Sequence, residues 1–264
     1  MPITMKSARE IELMTEAGRI LAAVHEELEK ALHPGMTTLD IDKIGEEVIR
    51  SYGCIPSFLN YNGYPASICV SVNDEVVHGI PSKNRIIKEG DIVSLDAGVI
   101  YEGYHSDAAR TVAVGEVSEE AKLLIERTRQ SFIEGMKKAV AGNHLYDISA
   151  AIGDYANQFG YGVVEDLCGH GIGSHLHEEP EIPNFRQSRF RRGIKLKPGM
   201  TLAVEPMINV GTKDVLWMDD EWTVVTEDKS LSAHYENTIL ITDGKPEILS
   251  LTEEEKKAGF LNLF

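Results

Sequence analysis

Four acidic side chains recur in two matching settings along the chain. In each setting a glycine turn precedes an apolar segment that ends on a carboxylate, which is Asp96 in the first and Glu205 in the second. A second acid follows each time, Asp107 in the first setting and Glu236 in the second. Bringing such acids together costs roughly 4 kcal/mol per close pair at an effective dielectric near 20, so a counter-charge is needed. Divalent cations are the usual counter-charge, and four acids with one histidine, His170, suit two metals about 3.5–4 Å apart.

A histidine tripeptide precedes each acidic setting. His78-Gly79-Ile80 and His170-Gly171-Ile172 share one residue order. The second copy lies in a run rich in glycine and histidine, 168–180, that also contains His177. This run lacks the helix pattern and the distal acid expected of a dinucleotide-binding loop. Because a histidine and two acids are duplicated, we expect the two halves to build one site on a pseudo-twofold axis.

The repeat includes the elements that must position these side chains. Gly35 is followed by an Asp-Ile pair at 40–41, and Gly142 by the same pair at 147–148. Apolar residues then recur at helical spacing, so each half opens with an amphipathic helix. We predict two repeat halves, roughly 35–115 and 142–245, each running from a helix through strands to an acid-tipped hairpin. Two such halves on one sheet predict an α+β fold.

The hairpins explain how the acids could meet. An apolar, β-branched strand carries Asp96, a second strand carries Asp107, and Gly103 lies in the short turn between them. We expect the two aspartates to lie within about one residue of being directly opposite, on one face. Glu205 and Glu236 should be joined in the same way, across a longer connection with its own hairpin.

Length and charge narrow the class of protein. The 264 residues, 42% of them hydrophobic, suit a single domain over 1–264. A formal net charge of −16 argues against a nucleic-acid binder. One local exception is a basic loop over 186–197, whose cationic residues are Arg186, Arg189, Arg191, Arg192, Lys195 and Lys197. We interpret it as a solvated loop beside the site, and the alternative is a docking patch for an anionic partner such as a ribosomal surface.

No targeting or membrane-spanning pattern is evident. The segment 1–30 has an amphipathic helical pattern with charges throughout, unlike a signal peptide, and no apolar run reaches about 18 residues. The three cysteines, Cys54, Cys69 and Cys168, lack CxxC spacing and fit reduced thiols. We therefore expect a cytoplasmic monomer without specific nucleic-acid or membrane partners.

Together these residues resemble those of type I methionine aminopeptidases. The five metal ligands of that family match, in order and spacing, Asp96, Asp107, His170, Glu205 and Glu236. The segments 61–65, 73–81, 168–173 and 205–207 also match, and the similarity covers essentially the whole chain. It implies the pita-bread fold, in which two related halves share a curved antiparallel sheet covered by helices. It also implies metal-dependent removal of the N-terminal methionine from peptides and nascent proteins with a small second residue.

The resemblance implies a role for each residue. Asp96 would chelate one divalent ion (Co, Mn, Fe or Zn), His170 and Glu205 would bind the other, and the remaining two acids would bridge them. Glu205 is also the candidate general base. His78 and His177 would hydrogen-bond the substrate amide and the developing oxyanion, where charge appears in the transition state.

The resemblance also implies a pocket for the methionine side chain and a monovalent-cation site. The pocket positions are Phe58, Tyr61, Tyr64, Cys69, Leu176 and Trp222. Leu176 stands where the commoner bacterial pattern has Phe, and Phe58 where it has a small residue, so we expect tolerance of slightly bulkier first side chains. A sodium or potassium ion would lie near Asn73, Glu75 and Ser232.

Three alternative classes of protein are disfavoured by the sequence. Prolidases and aminopeptidases P share the fold but carry an additional N-terminal domain, for which residues before 35 leave no room. Type II methionine aminopeptidases carry a helical insertion that cannot fit between Glu205 and Glu236. A non-enzymatic binding protein would have lost metal ligands, and all five are present here. A short, bacterial-type metallo-aminopeptidase is therefore our prediction.

Overall fold

The structure, a computed structural model, describes residues 3–188 and 190–264. Its helices, apart from two single 3-10 turns at Tyr61–Gly63 and Phe260–Asn262, are α1 Ala8–Ala31, α2 Thr38–Ser51, α3 Glu119–Met136, α4 Leu145–Asn157 and α5 Glu253–Lys257. Its strands are β1 Ile55–Pro56, β2 Ile68–Val72, β3 Glu75–Val77, β4 Ile92–Tyr101, β5 Tyr104–Ala113, β6 Gly162–Val163, β7 Gly169–Gly171, β8 Glu178–Ile182, β9 Thr201–Val204, β10 Met207–Asn209, β11 Val215–Trp217, β12 Val224–Thr226, β13 Ser232–His234, β14 Glu236–Leu240 and β15 Glu247–Ile248. None of these helices combines the length and apolarity needed to cross a membrane.

One nine-stranded antiparallel sheet joins the two halves. Its order is β1-β4-β5-β14-β9-β7-β8, with β2 also pairing with β4 and β15 with β14. Two three-stranded sheets, β13-β10-β6 and β11-β12-β3, lie beside it. The two halves meet where β5 pairs with β14, through Glu236↔Ala109 and Asn237↔Ala108. The predicted α+β fold with one shared antiparallel sheet is confirmed.

Each half covers its part of the sheet with a pair of helices. Both predicted repeat helices form, as α2 and α4, and each begins with an aspartate at its third position that accepts from the backbone N–H of the capping residue. Buried side chains of α1 and α2 pack with β2, β4 and β5, while those of α3 and α4 pack with β9, β14 and β15. A further cluster of buried side chains, which includes Tyr64 and Leu176 from connections between the strands, lies apart from these two groups.

The first acid-bearing hairpin forms as predicted, but its register differs from the expected one. Residues Glu102 and Gly103 make the turn with φ of 49° and 84°, in the left-handed region that glycine favours. Asp96 pairs with Ala109 and Asp107 with Gly98, so the two aspartates are offset by two residues rather than by one. The difference matters because side chains alternate between faces along a strand, and only an even offset keeps both acids on one face.

The second pair of acids is joined by direct strand pairing. Val204 pairs with Asn237, and continuing this antiparallel register by one residue sets Glu205 opposite Glu236. The long connection between them contains the β11–β12 hairpin, whose pairs run from Val215↔Thr226 to Trp217↔Val224. The predicted pairing and the intervening hairpin are both confirmed.

Candidate metal centre and active site

Five neighbouring strands of the main sheet bring the duplicated residues together. Asp96 lies on β4, Asp107 on β5, His170 on β7 and Glu236 at the start of β14, while Glu205 directly follows β9. All five line one cavity of about 120 Å³. The side chains of Asp107, His170, Glu205 and Glu236 are at most 13% exposed, and Asp96 is buried as well. The fold therefore brings together the five residues that the sequence predicted as metal ligands.

The acids are close to one another and short of hydrogen-bond donors. His170 Nε2 lies 3.8 Å from Asp107 Oδ2 and 3.7 Å from Glu205 Oε1, beyond hydrogen-bonding distance. In the part of the chain that the structure describes, one buried oxygen of each of Asp96, Asp107 and Glu236 has no hydrogen-bond partner. Within the described residues, the only basic side chains that approach these acids within 4 Å are histidines. Buried carboxylates without compensation are costly, so this cluster requires a cation.

The shifted pKa values in the cluster also indicate a site for a cation. Burial, reinforced by the charge of Asp96, raises the pKa of Asp107 well above its usual range. Burial together with the neighbouring acids raises the pKa of Glu205 and that of Glu236 in the same way. Burial lowers the pKa of His170 to about 3, so its imidazole is neutral and available as a ligand at neutral pH. Carboxylates that resist ionisation beside a neutral imidazole form a site that a divalent ion would charge and stabilise.

Two overlapping sets of donors fit two ions. The ligand atoms of Asp107, His170 and Glu236 lie within 4.8 Å of one another, and so do those of Asp96, His234 and Glu236. Glu236 belongs to both sets, as a bridging carboxylate would. Oxygen donors with one or two imidazoles suit Mn, Fe, Co or Zn. The residues present therefore fit a divalent metal centre.

His78 lines this cavity and has a strained backbone conformation. Its φ is 59°, unusual for a residue other than glycine. The residue directly follows β3, and its ring makes an edge contact with Trp222, with 6.2 Å between ring centroids. Such strain costs of order 1–3 kcal/mol and is concentrated at functional sites. Burial lowers the pKa of His78 to about 4, so its ring is neutral.

His177 is held at the exposed rim by a tyrosine. Tyr61 Oη lies 3.0 Å from His177 Nδ1. The His177 ring also meets the His170 ring edge-on, at 4.3 Å between centroids. His170 Nδ1 donates to the backbone oxygen of Gly171 at 2.9 Å, which directs its Nε2 into the cluster.

Apolar side chains form the remaining wall of the same cavity. All six predicted pocket residues line it: Phe58, Tyr61, Tyr64, Cys69, Leu176 and Trp222. Tyr64 and Trp222 meet edge-on with 5.1 Å between centroids. A Cβ on Gly98 would lie 2.8 Å from Ser57 Cβ and 3.0 Å from Phe58 Cε1, so the absence of a side chain there makes room for the Phe58 ring. The structure thus joins an acid-lined floor to an apolar wall.

One residue of the site went unnoticed in the sequence. His234, at the end of β13, lies with its Nε2 3.7 Å from Glu236 Oε2 and 3.9 Å from Glu205 Oε2. It stands two positions before Glu236, so its proximity to an assigned ligand was the available signal. The repeated tripeptides are the more conspicuous signal, although His105 stands two positions before Asp107 just as His234 stands two positions before Glu236.

Two peripheral predictions concern other surfaces. In the basic loop, Arg186 pairs with Asp154, and Arg192 Nη2 lies 3.2 Å from Asp147 Oδ2, while Arg189 lies outside the described residues. At the predicted monovalent-cation position, the backbone N–H of Ser232 donates to the carbonyl of Asn73 at 2.9 Å.

A sheet that gathers four buried carboxylates and a neutral imidazole beside an apolar cavity is typical of a metalloenzyme. A family model described as metallopeptidase family M24 matches residues 12–243. The chain belongs to that family.

Individual relatives narrow the assignment to the methionine aminopeptidases of the family. A methionine aminopeptidase from Clostridium acetobutylicum is 55% identical over 251 residues, which cover 95% of this chain and 100% of that protein. The crystal structure of methionine aminopeptidase from Thermotoga maritima, 42% identical, superposes with a TM-score of 0.92 over 95% of this chain and 100% of that one. The predicted resemblance is confirmed.

The rival peptidase class shares the fold alone. A prolidase from Pyrococcus furiosus is 23% identical, with a TM-score of 0.72 over 94% of this chain and 66% of that one. The higher identity and fuller coverage of the methionine aminopeptidases favour assignment to that class over assignment to the prolidases.

Proposed function

We propose that this chain uses the described cavity to hydrolyse the peptide bond that follows an N-terminal methionine. Its substrates are peptides and nascent chains whose second residue is small. Membership of the family supports the activity. The observation that carries its assignment to this site is that the metal-binding residues and the apolar wall line one cavity.

Divalent ions would be held by the five duplicated residues. Asp96 would chelate one ion, His170 and Glu205 the other, and Asp107 and Glu236 would bridge. The shared membership of Glu236 in both donor sets supports the bridging role. Bound ions would supply a Lewis acid for the scissile carbonyl and a water of lowered pKa. Co, Mn, Fe and Zn are the ions that this donor set suits.

The protein's own groups would position the substrate and move protons. Glu205, facing the cavity beside His170, would take a proton from the attacking water as general base. With the Tyr61 hydroxyl donating to His177 Nδ1, His177 Nε2 carries the proton and can donate to the developing oxyanion. His78, which lines the same cavity, would hydrogen-bond the substrate amide.

The apolar wall would select the first side chain. An unbranched thioether fits a pocket of aromatic rings, and each sulfur–aromatic contact contributes only about 0.3–1.5 kcal/mol, so shape does much of the selecting. A charged first side chain would lose its hydration among Phe58, Tyr64 and Leu176 without a partner.

Finer properties complete the proposal. We infer one catalytic domain over 1–264 with repeat halves 35–115 and 142–245, acting as a cytoplasmic monomer in protein maturation. A sodium or potassium ion would use oxygens near Asn73, Glu75 and Ser232, where Ser232 and Asn73 are already in contact. Ribosome docking through 186–197 would rely on the other cations of the loop, since Arg186 and Arg192 face acids of α4.

The test is hydrolysis of Met-Ala-Ser before and after chelation. Metal-free protein, verified by elemental analysis, should be inactive and should recover with Co, Mn or Fe. Asp107→Asn should bind fewer ions and stay inactive on reloading, while Asp154→Asn, whose carboxylate faces Arg186 outside the cavity, should behave as the wild type. Undiminished turnover by metal-free protein, or efficient release of N-terminal Lys, would refute the proposal.

A further inference from the structure

The imidazole of His234 is enclosed by the protein. Its side chain is 2% exposed, and among residues 3–188 and 190–264 neither Nδ1 nor Nε2 has a hydrogen-bond partner. Buried polar groups nearly always have one, so each exception needs an explanation. The backbone on either side of the ring is fixed, because Thr111 Oγ1 accepts from His234 N at 2.8 Å and donates to its carbonyl at 2.9 Å. The ring is therefore held in place without a partner for either nitrogen.

The surroundings of His234 Nε2 match those of the predicted ligand His170. His170 Nε2 lies 3.7 and 3.8 Å from oxygens of two cluster carboxylates, and His234 Nε2 lies 3.7 and 3.9 Å from oxygens of two. These separations are too long for hydrogen bonds. They suit donors that share an ion, because ligands about 2.0–2.2 Å from one metal lie up to roughly 4.4 Å from each other.

We propose that His234 is itself a metal ligand, whose Nε2 binds the ion held by Asp96 and Glu236. The three ligand atoms lie within 4.8 Å of one another. The inference rests on the proposed dinuclear centre and adds one donor to it. Each of the two ions then has one imidazole, His170 on one side and His234 on the other, with Glu236 between them.

The added imidazole changes the character of one ion position. Without it, that position would be an all-carboxylate site, which suits Mg or Mn. With it, the position favours Co, Zn or Fe(II), which accept nitrogen donors readily. Removing His234 should therefore weaken Co or Zn at one of the two positions while leaving the His170 position unchanged.

Cobalt-substituted protein gives a direct count of the imidazole ligands. Co²⁺ is paramagnetic, so the exchangeable ring N–H of each coordinated histidine appears as a separate, strongly shifted proton resonance. Wild-type protein loaded with two equivalents of Co²⁺ should show two such signals, and His234→Gln should show one. Calorimetric titration of His234→Gln should show an affinity loss of more than about tenfold for one equivalent. His144→Gln, which alters a half-buried histidine at the start of α4, is the matched control and should keep both signals.

The alternative outcomes separate this inference from the proposed function. A single shifted signal in wild-type protein carrying two cobalt ions would overturn the inference, and so would two signals that persist in His234→Gln. In either case an active, metal-dependent aminopeptidase leaves the proposed function standing. Protein that binds no cobalt would instead remove the proposed function itself. If His234→Gln does not fold, the count of ring N–H signals in wild-type protein labelled with ¹⁵N-histidine still decides.

Discussion

Glu255 on the short helix α5 should contribute a large, pH-dependent share of the stability. Its Oε2 accepts from Arg110 Nη2 at 3.0 Å, and Tyr235 Oη donates to its Oε1 at 2.5 Å. Arg110 is itself buried, and its Nη1 donates to the carbonyl oxygens of Ala109 and Glu236. The pair therefore supports, from the back of the sheet, the backbone that carries a proposed metal ligand. Replacing Glu255 by Gln removes the charge while keeping the shape.

The size of the effect follows from the ionisation of Glu255. Burial opposes the charge, but Arg110, Tyr235 and the backbone of Thr252 outweigh it and lower the pKa from 4.5 to about 2. That difference corresponds to about 3 kcal/mol. Because the folded pKa is depressed, this stability is fully present above pH 4.5 and is lost as the pH falls through about 2. The value is close to the ~3–5 kcal/mol expected when one partner of a buried ion pair is removed.

Urea denaturation of chelated protein, followed by far-ultraviolet circular dichroism, measures the effect. Glu255→Gln should unfold with a free energy about 3 kcal/mol below that of the wild type at pH 7, and the gap should shrink steadily below pH 4.5. The control is Glu254→Gln, an exposed neighbour on the same helix, which should differ by less than about 0.5 kcal/mol. A gap that is independent of pH, or one no larger than the control's, would refute the reasoning.

Three further predictions concern the active site. His78→Ala and His177→Ala should each lower kcat by about 10²–10³-fold without loss of bound metal, and loss of a metal equivalent would show that a ligand was misassigned. Wild-type enzyme should accept norleucine nearly as well as methionine as the first residue. Leu176→Phe should increase discrimination against bulkier first residues by about 1–3 kcal/mol. An unchanged preference for the first residue would mean that Leu176 does not line the pocket. Gly98→Ala should push the Phe58 ring into the cavity and raise KM for methionine peptides at unchanged metal content. An unchanged KM would contradict the argument that a side chain at position 98 has no room.

The duplicated acids were predictable from the sequence because the chemistry and the secondary structure both repeat. A strand that ends on a carboxylate is visible as an apolar run stopped by an acid, and Gly103 marks the turn between β4 and β5. Register is harder to predict, because β4 and β5 are buried along most of their length and lack the alternation of apolar and polar residues that would fix it. The predicted offset of Asp96 from Asp107 therefore differs by one residue from the observed offset of two.

The role of Arg110 could not be foreseen from its neighbours in the sequence. Its partner Glu255 lies 145 positions away, on a five-residue helix. The highly charged sequence of that helix is typical of a solvated surface segment. The pocket could be listed only through the family resemblance, because its residues come from well-separated segments. Contacts such as that between Tyr64 and Trp222 depend on how the small sheets fold against the main one.

His234 shows why the sequence pattern alone does not predict the complete set of proposed metal ligands. A repeat directs attention to residues that occur twice, and a resemblance directs it to residues that a family shares. His105 does stand at the same spacing before Asp107 as His234 before Glu236, but neither histidine is followed by a glycine as His78 and His170 are, and the resemblance assigns no role to either. His234 ends β13, in a small separate sheet, and a single residue separates it from β14. Its candidacy as a ligand depends on three-dimensional facts: complete burial, two nitrogens without partners, and distances equal to those of His170. A ligand of this kind is recognised only in the folded structure, because burial and the absence of hydrogen-bond partners cannot be read from the sequence.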